Sequence, residues 1–192
     1  MCTQLKHKGT AVIYCRRVIL QPFKADDAFF MFRNWANDAE VTRYMTWFPH
    51  KNMQQTESVI AQWVSCYSNK NFYQWAIRLR KIDEPIGSIS VVALDEENQS
   101  CELGYCIGKY FWHQGYTSEA LSAVIRFLFE QVGFKTVTAR HDIRNPHSGD
   151  VMRKCGMRYV ETRENVGTTK ENEPLTCAYY TLDRDTFFAN IM

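Results

Sequence analysis

A strand, a short loop and a long helix follow one another between residues 101 and 132, and they constrain the fold more than any other feature. Residues 101–107 are predicted to form the strand, and residues 117–132 carry apolar side chains at helical spacing. The next predicted strand follows at residues 137–141. Because a strand–helix–strand crossover brings its second strand back in the direction of the first, the sheet must contain at least one parallel or splayed pair.

The remaining elements predict a sheet that is otherwise mainly antiparallel. Three consecutive strands are separated by short polar turns, which is the pattern of an antiparallel meander. The predicted order is βααβββαβαββ in a single α/β (α+β) domain. The elements besides the crossover are strands at 16–23, 72–80, 86–94, 157–163 and 175–182, a helix from residue 26, a helix that includes 59–67 and a short helix from 146.

Length and charge place the chain among single-domain globular proteins. With 192 residues, 45% of them hydrophobic, it is long enough to bury a core without disulfides or a metal. We expect one domain at residues 11–185 after a flexible N-terminus at residues 1–10. The net charge of +2 is too small to attract nucleic acid or a membrane surface, and no apolar run reaches the ~20 residues that span a bilayer.

The cysteines favour a protein that works in a reducing compartment. There are seven, an odd number without a C-x-x-C pair, and several lie inside apolar runs. We therefore expect structural thiols, no covalent step on cysteine and a cytoplasmic location. Residues 1–10 lack the hydrophobic core of a secretory signal, and the five histidines lack the spacing of metal ligands, so no metal is expected.

Two predicted helix N-termini offer groups that suit a phosphate at one edge of the sheet. The loop before residue 117 presents free amides and the positive end of the helix dipole, and Gly115 permits close approach. Asn145 precedes Pro146 at the start of the short helix, where Asn is a favoured cap, and Ser148 follows in its first turn. The same features also occur in ordinary strand–loop–helix junctions and helix caps.

Three separated segments carry a resemblance to a known family. They read EPIGSISV, CELGYCIGKYFWHQGYTSEAL and RHDIRNPHSGDVMRKCGMRYV, and RRVILQPFKADDA and DAEVTRYM precede them. Together they resemble the GNAT superfamily of N-acetyltransferases, and specifically its RimJ/RimL-type branch. The resemblance implies a GNAT-like domain whose central strands splay apart in a V, with acetyl-CoA as the acyl donor lying in the splay.

The resemblance also implies which residues contact acetyl-CoA. The backbone of Tyr105, Cys106 and Ile107 would bond the pantetheine arm as an added strand does. Asn145 would contact the pantetheine too, and Ser148 would lie near the thioester sulfur. The amides implied to hold the pyrophosphate are those of His113, Gln114, Gly115, Tyr116, Thr117 and Ser118.

Attack of an amine on a thioester needs a group that takes the amine's proton and a group that stabilises the departing thiolate. Glu102 is the candidate base, because strand alternation points it away from its two apolar neighbours. The resemblance suggests Ser148 as the acid or as the hydrogen-bond donor to sulfur. The alternatives left open are Tyr105 and Tyr159 in place of Ser148, and His113, His141 and His147 in place of Glu102.

The acceptor site is expected between the first two helices and the loop at residues 164–174. The aromatic residues Trp47, Phe48, Trp63 and Phe72 are candidates to line it, with core packing as the alternative.

The resemblance favours a protein N-terminal α-amine as acceptor, as in the modification of ribosomal proteins. A small amine, such as an amino acid, a polyamine or a drug, stays open. His113 and Thr117 depart from the family's loop pattern, which leaves a non-catalytic acetyl-CoA-binding domain as a further alternative. We expect a monomer or a homodimer with no nucleic-acid or membrane partner.

Overall fold

A computed structural model describes residues 4–189 as an eight-stranded sheet in the order β1-β2-β3-β4-β5-β6-β8-β7. All neighbouring strands are antiparallel except β5 and β6, which are parallel. The strands are β1 Ile13–Tyr14, β2 Val18–Gln21, β3 Gln74–Leu79, β4 Glu84–Asp95, β5 Ser100–Ile107, β6 Thr136–Asp142, β7 Arg158–Arg163 and β8 Cys177–Asp183. The helices are α1 Asp27–Met31, α2 Met53–Cys66, α3 Tyr116–Phe127, α4 Pro146–Lys154 and α5 Arg184–Ala189.

The predicted single α/β domain with a mixed, mainly antiparallel sheet is confirmed. Both α1 and α3 run on into a π-helical turn, at Phe32–Ala36 and Leu128–Val132. The sequence does not predict β1 or α5, because two and six residues are too short to show a periodicity. No helix within residues 4–189 is long and apolar enough to cross a membrane.

Beyond its first residues, β5 no longer pairs with β6, and the site lies where the two strands separate. The two strands pair from Ser100 with Thr136 to Leu103 with Ala139 and no further. On its other side β5 stays paired with β4 as far as Ile107. The parallel pair therefore opens into a V toward the carboxyl ends of both strands, where α3 and α4 begin.

Two hydrophobic layers hold the helices on opposite faces of the sheet. One layer packs α3 against the sheet, with Leu121 and Val124 fully buried. The other packs α1 and α2, with Trp35 and Ile60 at its centre. The helix α1 turns its Asp27 side toward the sheet and leaves Phe29 54% exposed.

The N-terminal segment is packed where a flexible terminus is expected. Leu5 is buried in the α3 layer, and the amide of Lys6 donates to Val132 O at 2.8 Å. His7 Nδ1 lies 2.8 Å from Tyr73 Oη. These contacts fix residues 4–10 on the domain, and the remainder of the expected flexible segment, residues 1–3, lies outside the described residues.

A buried ion pair ties α1 to the sheet. Arg78 on β3 donates to a carboxylate oxygen of Asp27, and the two side chains are 10% and 3% exposed. The second oxygen of Asp27 accepts the amide of Lys24 at 2.9 Å, so that carboxylate also fixes the start of the helix.

We expect Asp27→Ala to lower the free energy of unfolding by about 3–5 kcal/mol, because it leaves Nη2 of the buried Arg78 guanidinium without its carboxylate. Urea unfolding measures the change. The double variant Asp27→Leu with Arg78→Met should lose less than Asp27→Ala alone, because it removes both charges. A loss below about 1 kcal/mol in Asp27→Ala, as for an exposed pair, would contradict this assignment.

Candidate active site

A cavity of about 380 Å³ occupies the opening between β5 and β6. Its walls come from the end of β5, the loop before α3, the first turns of α4 and the loop between α1 and α2. Four segments that are distant in sequence therefore meet at the point where the central strands part.

The loop before α3 forms a backbone cradle at one end of this cavity. His113 has φ +58° and Gly115 has φ +76°, so both residues adopt the left-handed conformation, and Gly115 does so without a Cβ penalty. The first-turn amides of α3 have no preceding carbonyl in the helix to bond, and no side chain caps them. Such amides at the positive end of a helix suit a phosphate.

Two cations flank the cradle, and sequence reasoning does not find either. An ideal Cβ on Gly115 would lie 3.4 Å from Arg17 Nη2 and 3.7 Å from Lys154 Nζ. Arg17 is fixed by its Nη1, which donates to Gln114 O at 2.9 Å, and by its Nε, 2.7 Å from Glu119. Burial raises the pKa of Glu119, but hydrogen bonds from Arg17 outweigh it and hold that pKa below its usual value.

Tyr105 and Ser148 form a hydrogen-bonded pair across the opening. The Tyr105 hydroxyl donates to Ser148 O at 2.7 Å and accepts from Ser148 Oγ at 3.1 Å. Burial raises the pKa of Tyr105, so its hydroxyl keeps its proton. Both side chains line the cavity, and the pair connects β5 to the first turn of α4.

A sequence profile for the acetyltransferase (GNAT) domain matches residues 17–158, which is most of the chain. The chain belongs to the GNAT acetyltransferase family. Its relative YoaA of Bacillus subtilis, an uncharacterised N-acetyltransferase, is 31% identical over 140 residues, which are 73% of this chain and 78% of YoaA. The protein is therefore an acyltransferase of the N-acetyltransferase type.

Solved structures of this family share the fold. A candidate ribosomal-protein-serine acetyltransferase from Vibrio cholerae has a TM-score of 0.80 at 22% identity, over 92% of this chain and 99% of that one. The microcin C7 self-immunity acetyltransferase MccE, solved with acetyl-CoA and AMP, has a TM-score of 0.77 at 17% identity, over 87% and 92%. GNAT acetyltransferases use acetyl-CoA as acyl donor. Within residues 4–189 no cluster of three or more His, Cys, Asp or Glu side chains could hold a metal ion.

Most of the cofactor contacts predicted for this acetyltransferase meet at the cavity. Its walls include Tyr105, Cys106, Ile107, His113, Gly115, Thr117, Ser118, Asn145 and Ser148. Gln114 in the loop and Tyr116 at the start of α3 do not line the cavity, and Arg17 lies against both.

Asn145 precedes α4 but does not cap it. Its side chain makes no capping hydrogen bond to α4, in contrast to the expected cap, since its backbone sits at φ −114° and ψ 69°. The side chain therefore faces the cavity without a bond to the helix. Ser148 N instead donates to Asn145 O at 3.2 Å, which closes the first turn.

Glu102 lies outside the cavity walls, on the opposite face of β5 from Tyr105. Its Oε1 accepts from Arg140 Nε at 3.0 Å, and Arg140 also donates to Tyr179 Oη at 3.1 Å. The carboxylate is thus held in place at the point where β5 leaves β6. Its role as the base stays a prediction.

The alternative catalytic residues occupy different places. His113 and His147 line the cavity and meet edge to face, with ring centres 5.0 Å apart. His141 is buried behind α4, with Nδ1 donating to Asp142 O at 2.8 Å. Tyr159 is 54% exposed on the edge strand β7, away from the cavity walls.

The aromatic residues predicted to line an acceptor site do not line this cavity. Trp63 packs on Phe23, with ring centres 5.0 Å apart, and Phe72 packs on Tyr67 at 5.5 Å. Trp47 packs in the same way on its neighbour His50 at 5.3 Å, and Phe48 is exposed. The alternative, core packing, therefore describes Trp63. The prediction that these aromatic residues line an acceptor site is wrong for this cavity.

The cavity wall on the side of α1 and α2 is instead the loop between these two helices, from Glu40 to Met45. The hairpin before β8 docks on this loop through Lys170, whose side chain is 7% exposed. Lys170 Nζ donates to Thr42 O at 2.7 Å and lies 5.5 Å over the ring of Phe48. The hairpin predicted to contribute to the acceptor side therefore supports that wall from behind.

The cradle predicts a binding defect in Gly115→Val. Valine at φ +76° is strained and blocks the approach of a phosphate to the amides, so we expect acetyl-CoA affinity to fall at least about tenfold by calorimetry. Gly133→Val is the matched control, because Gly133 has φ +98° at the far end of the same helical segment and a Cβ added to it would meet no other described residue within 4 Å. Unchanged affinity in folded Gly115→Val would remove the cradle from the binding site.

Proposed function

We propose that this acetyltransferase moves the acetyl group of acetyl-CoA to the α-amine at the N-terminus of a protein, as enzymes of the RimJ/RimL-type branch do. The observation that carries the proposal is the opening between β5 and β6. A cradle suited to phosphate stands at one end of it, and the cavity leads to the loop between α1 and α2.

Three kinds of contact support the binding of acetyl-CoA, the acyl donor. The amides of the cradle and the ammonium of Lys154 suit the pyrophosphate of acetyl-CoA. Within residues 4–189 no strand pairs with the β5 backbone at Tyr105 and Cys106 on its β6 side, and an extended pantetheine arm suits such an edge. Ile107 contributes less, because its carbonyl already accepts from Trp112 Nε1 at 2.8 Å. The thioester supplies an activated acetyl group there.

Ser148 serves as the hydrogen-bond donor to the departing thiolate. Its Oγ can rotate from Tyr105 toward a sulfur in the cavity and donate a hydrogen bond to it. Tyr105 keeps hold of Ser148 O during this rotation and so keeps the hydroxyl within reach. A donor that strengthens its bond as negative charge grows on sulfur stabilises the transition state.

The base is assigned to Glu102, acting directly or through a water. It lies on the face of β5 that carries the α1 and α2 layer, the side from which an acceptor bounded by Glu40 to Met45 would enter. Arg140 fixes the orientation of the carboxylate. The acceptor's ammonium must lose a proton to become a nucleophile, and a positioned carboxylate accepts it.

The acceptor class is tested by offering acetyl-CoA together with peptides of matched sequence, one set with a free N-terminus and one set blocked. We expect mass spectrometry to find acetyl groups on the free α-amine only. Turnover of small amines without peptides would replace the proposed acceptor. Binding of acetyl-CoA without turnover of any amine would favour a non-catalytic domain.

The same assay tests Glu102. Glu102→Gln should lower kcat by roughly 10²- to 10⁴-fold with acetyl-CoA affinity nearly unchanged, and activity should recover at high pH, where the amine deprotonates unaided. Glu161→Gln is the matched control, since this exposed carboxylate pairs with Arg163 on the edge strand. Full activity of Glu102→Gln at neutral pH would exclude Glu102 as the base.

Ser148→Ala should lower kcat by about 10²-fold while the KM for acetyl-CoA stays nearly constant, because the lost hydrogen bond forms as the thiolate departs. Ser122→Ala is the control, since the Ser122 hydroxyl donates to Cys155 Sγ at 3.3 Å between α3 and α4, away from the cavity walls. Normal kcat in Ser148→Ala would end its catalytic role. A much larger loss in Tyr105→Phe would transfer that role to the tyrosine.

A further inference from the structure

Gly149 sits in the first turn of α4, directly after Ser148, and has no room for a side chain. An ideal Cβ on it would lie 2.6 Å from His141 Nε2, 3.0 Å from Tyr180 Oη and 3.2 Å from Arg153 Nη1. The first distance is shorter than any Cβ contact that real proteins tolerate. Glycine at this position therefore lets α4 lie closer to the sheet than any other residue would.

The groups beneath Gly149 are held in place and cannot easily give way. His141 is buried on β6, and its Nδ1 donates to Asp142 O at 2.8 Å. Tyr180 is buried on β8, and its hydroxyl accepts from Arg153 Nη1 at 2.5 Å. The two rings lie against each other with centres 5.6 Å apart. Together these side chains form a floor under the first turn of α4.

The other side of the same turn is attached to β5. Ser148 bonds Tyr105 through both its carbonyl and its hydroxyl, whereas Gly149 rests on β6 and β8. The first turn of α4 thus spans the gap where β5 and β6 no longer pair. How closely this turn approaches the sheet determines the position of the Ser148 hydroxyl relative to the cavity.

We propose that Gly149 is a positioning residue for the acetyl transfer: its missing side chain seats α4 on His141 and Tyr180 and thereby places Ser148 beside the reacting sulfur. This inference rests on the proposed function, in which Ser148 serves the leaving group. It predicts a larger effect on turnover than on acetyl-CoA affinity, because the cradle amides belong to α3 and Lys154, the α4 residue at the cradle, lies at the opposite end of that helix from Gly149.

The test substitutes Gly149→Ala, the smallest change that adds a Cβ. We expect kcat to fall at least tenfold and acetyl-CoA affinity, measured by calorimetry, to stay within threefold. A helix that merely loses stability would lower the melting temperature and leave kcat per folded molecule unchanged. Wild-type kcat in folded Gly149→Ala would overturn the proposal.

Removal of the group that clashes with the added Cβ should let α4 return to its wild-type position on the sheet. His141→Ala deletes the imidazole that lies 2.6 Å from the added Cβ, so the double variant Gly149→Ala with His141→Ala should turn over at least threefold faster than Gly149→Ala. His141→Ala alone is the reference for this comparison. If the double variant folds and is no faster than Gly149→Ala, the steric explanation is wrong.

Two further results keep the test decisive. If Gly149→Ala fails to fold, the double variant should fold and be active, and an inactive folded double variant would overturn the proposal. Amide hydrogen exchange over residues 145–152, which needs no substrate, should be faster in Gly149→Ala than in the wild type and slow again in the double variant. The exchange pattern tests the position of α4 independently of the reaction. Failure of the proposed function would instead show as a wild-type enzyme that is inactive on every amine.

Discussion

The interruption of backbone pairing between β5 and β6 is the constraint on which the site depends. Up to Leu103 and Ala139 the two strands form an ordinary parallel ladder, and beyond them β5 stays with β4 alone. Backbone groups on the open side of β5 need partners from elsewhere, because unpaired polar groups are costly when they are removed from water. The opening also collects the N-termini of α3 and α4, since both helices follow the two strands that part.

Different interactions stabilise the two ends of the opening. At the cradle, the backbone is shaped by left-handed residues, and charge comes from Arg17 and Lys154. At the floor of α4, packing and hydrogen bonds dominate, through Tyr105, Ser148 and the groups under Gly149. A cradle flanked by cations suits an anionic ligand, whereas a tightly packed end suits a reaction in which small displacements matter.

The sequence predicts the parts of this site that are local. The cradle and the start of α4 are strand–loop–helix junctions, so their positions follow from turn and helix-start patterns, whereas the contacts of their residues are implied by the family resemblance. Arg17 and Lys154 are missed because only the register between distant elements brings them to Gly115. The aromatic residues are misplaced for a related reason: helical spacing shows that Trp63 is on a stripe, but not whether that stripe faces the core or a cavity.

The buried clasp made by Lys170 has a consequence for an enzyme that modifies amines. Its ammonium is bonded to Thr42 O and shielded from solvent, next to the wall that would meet the acceptor. The clasp therefore does two things at once: it joins the hairpin to the wall, and it keeps the amine of Lys170 outside the cavity walls, so that this lysine is not presented there as an acceptor.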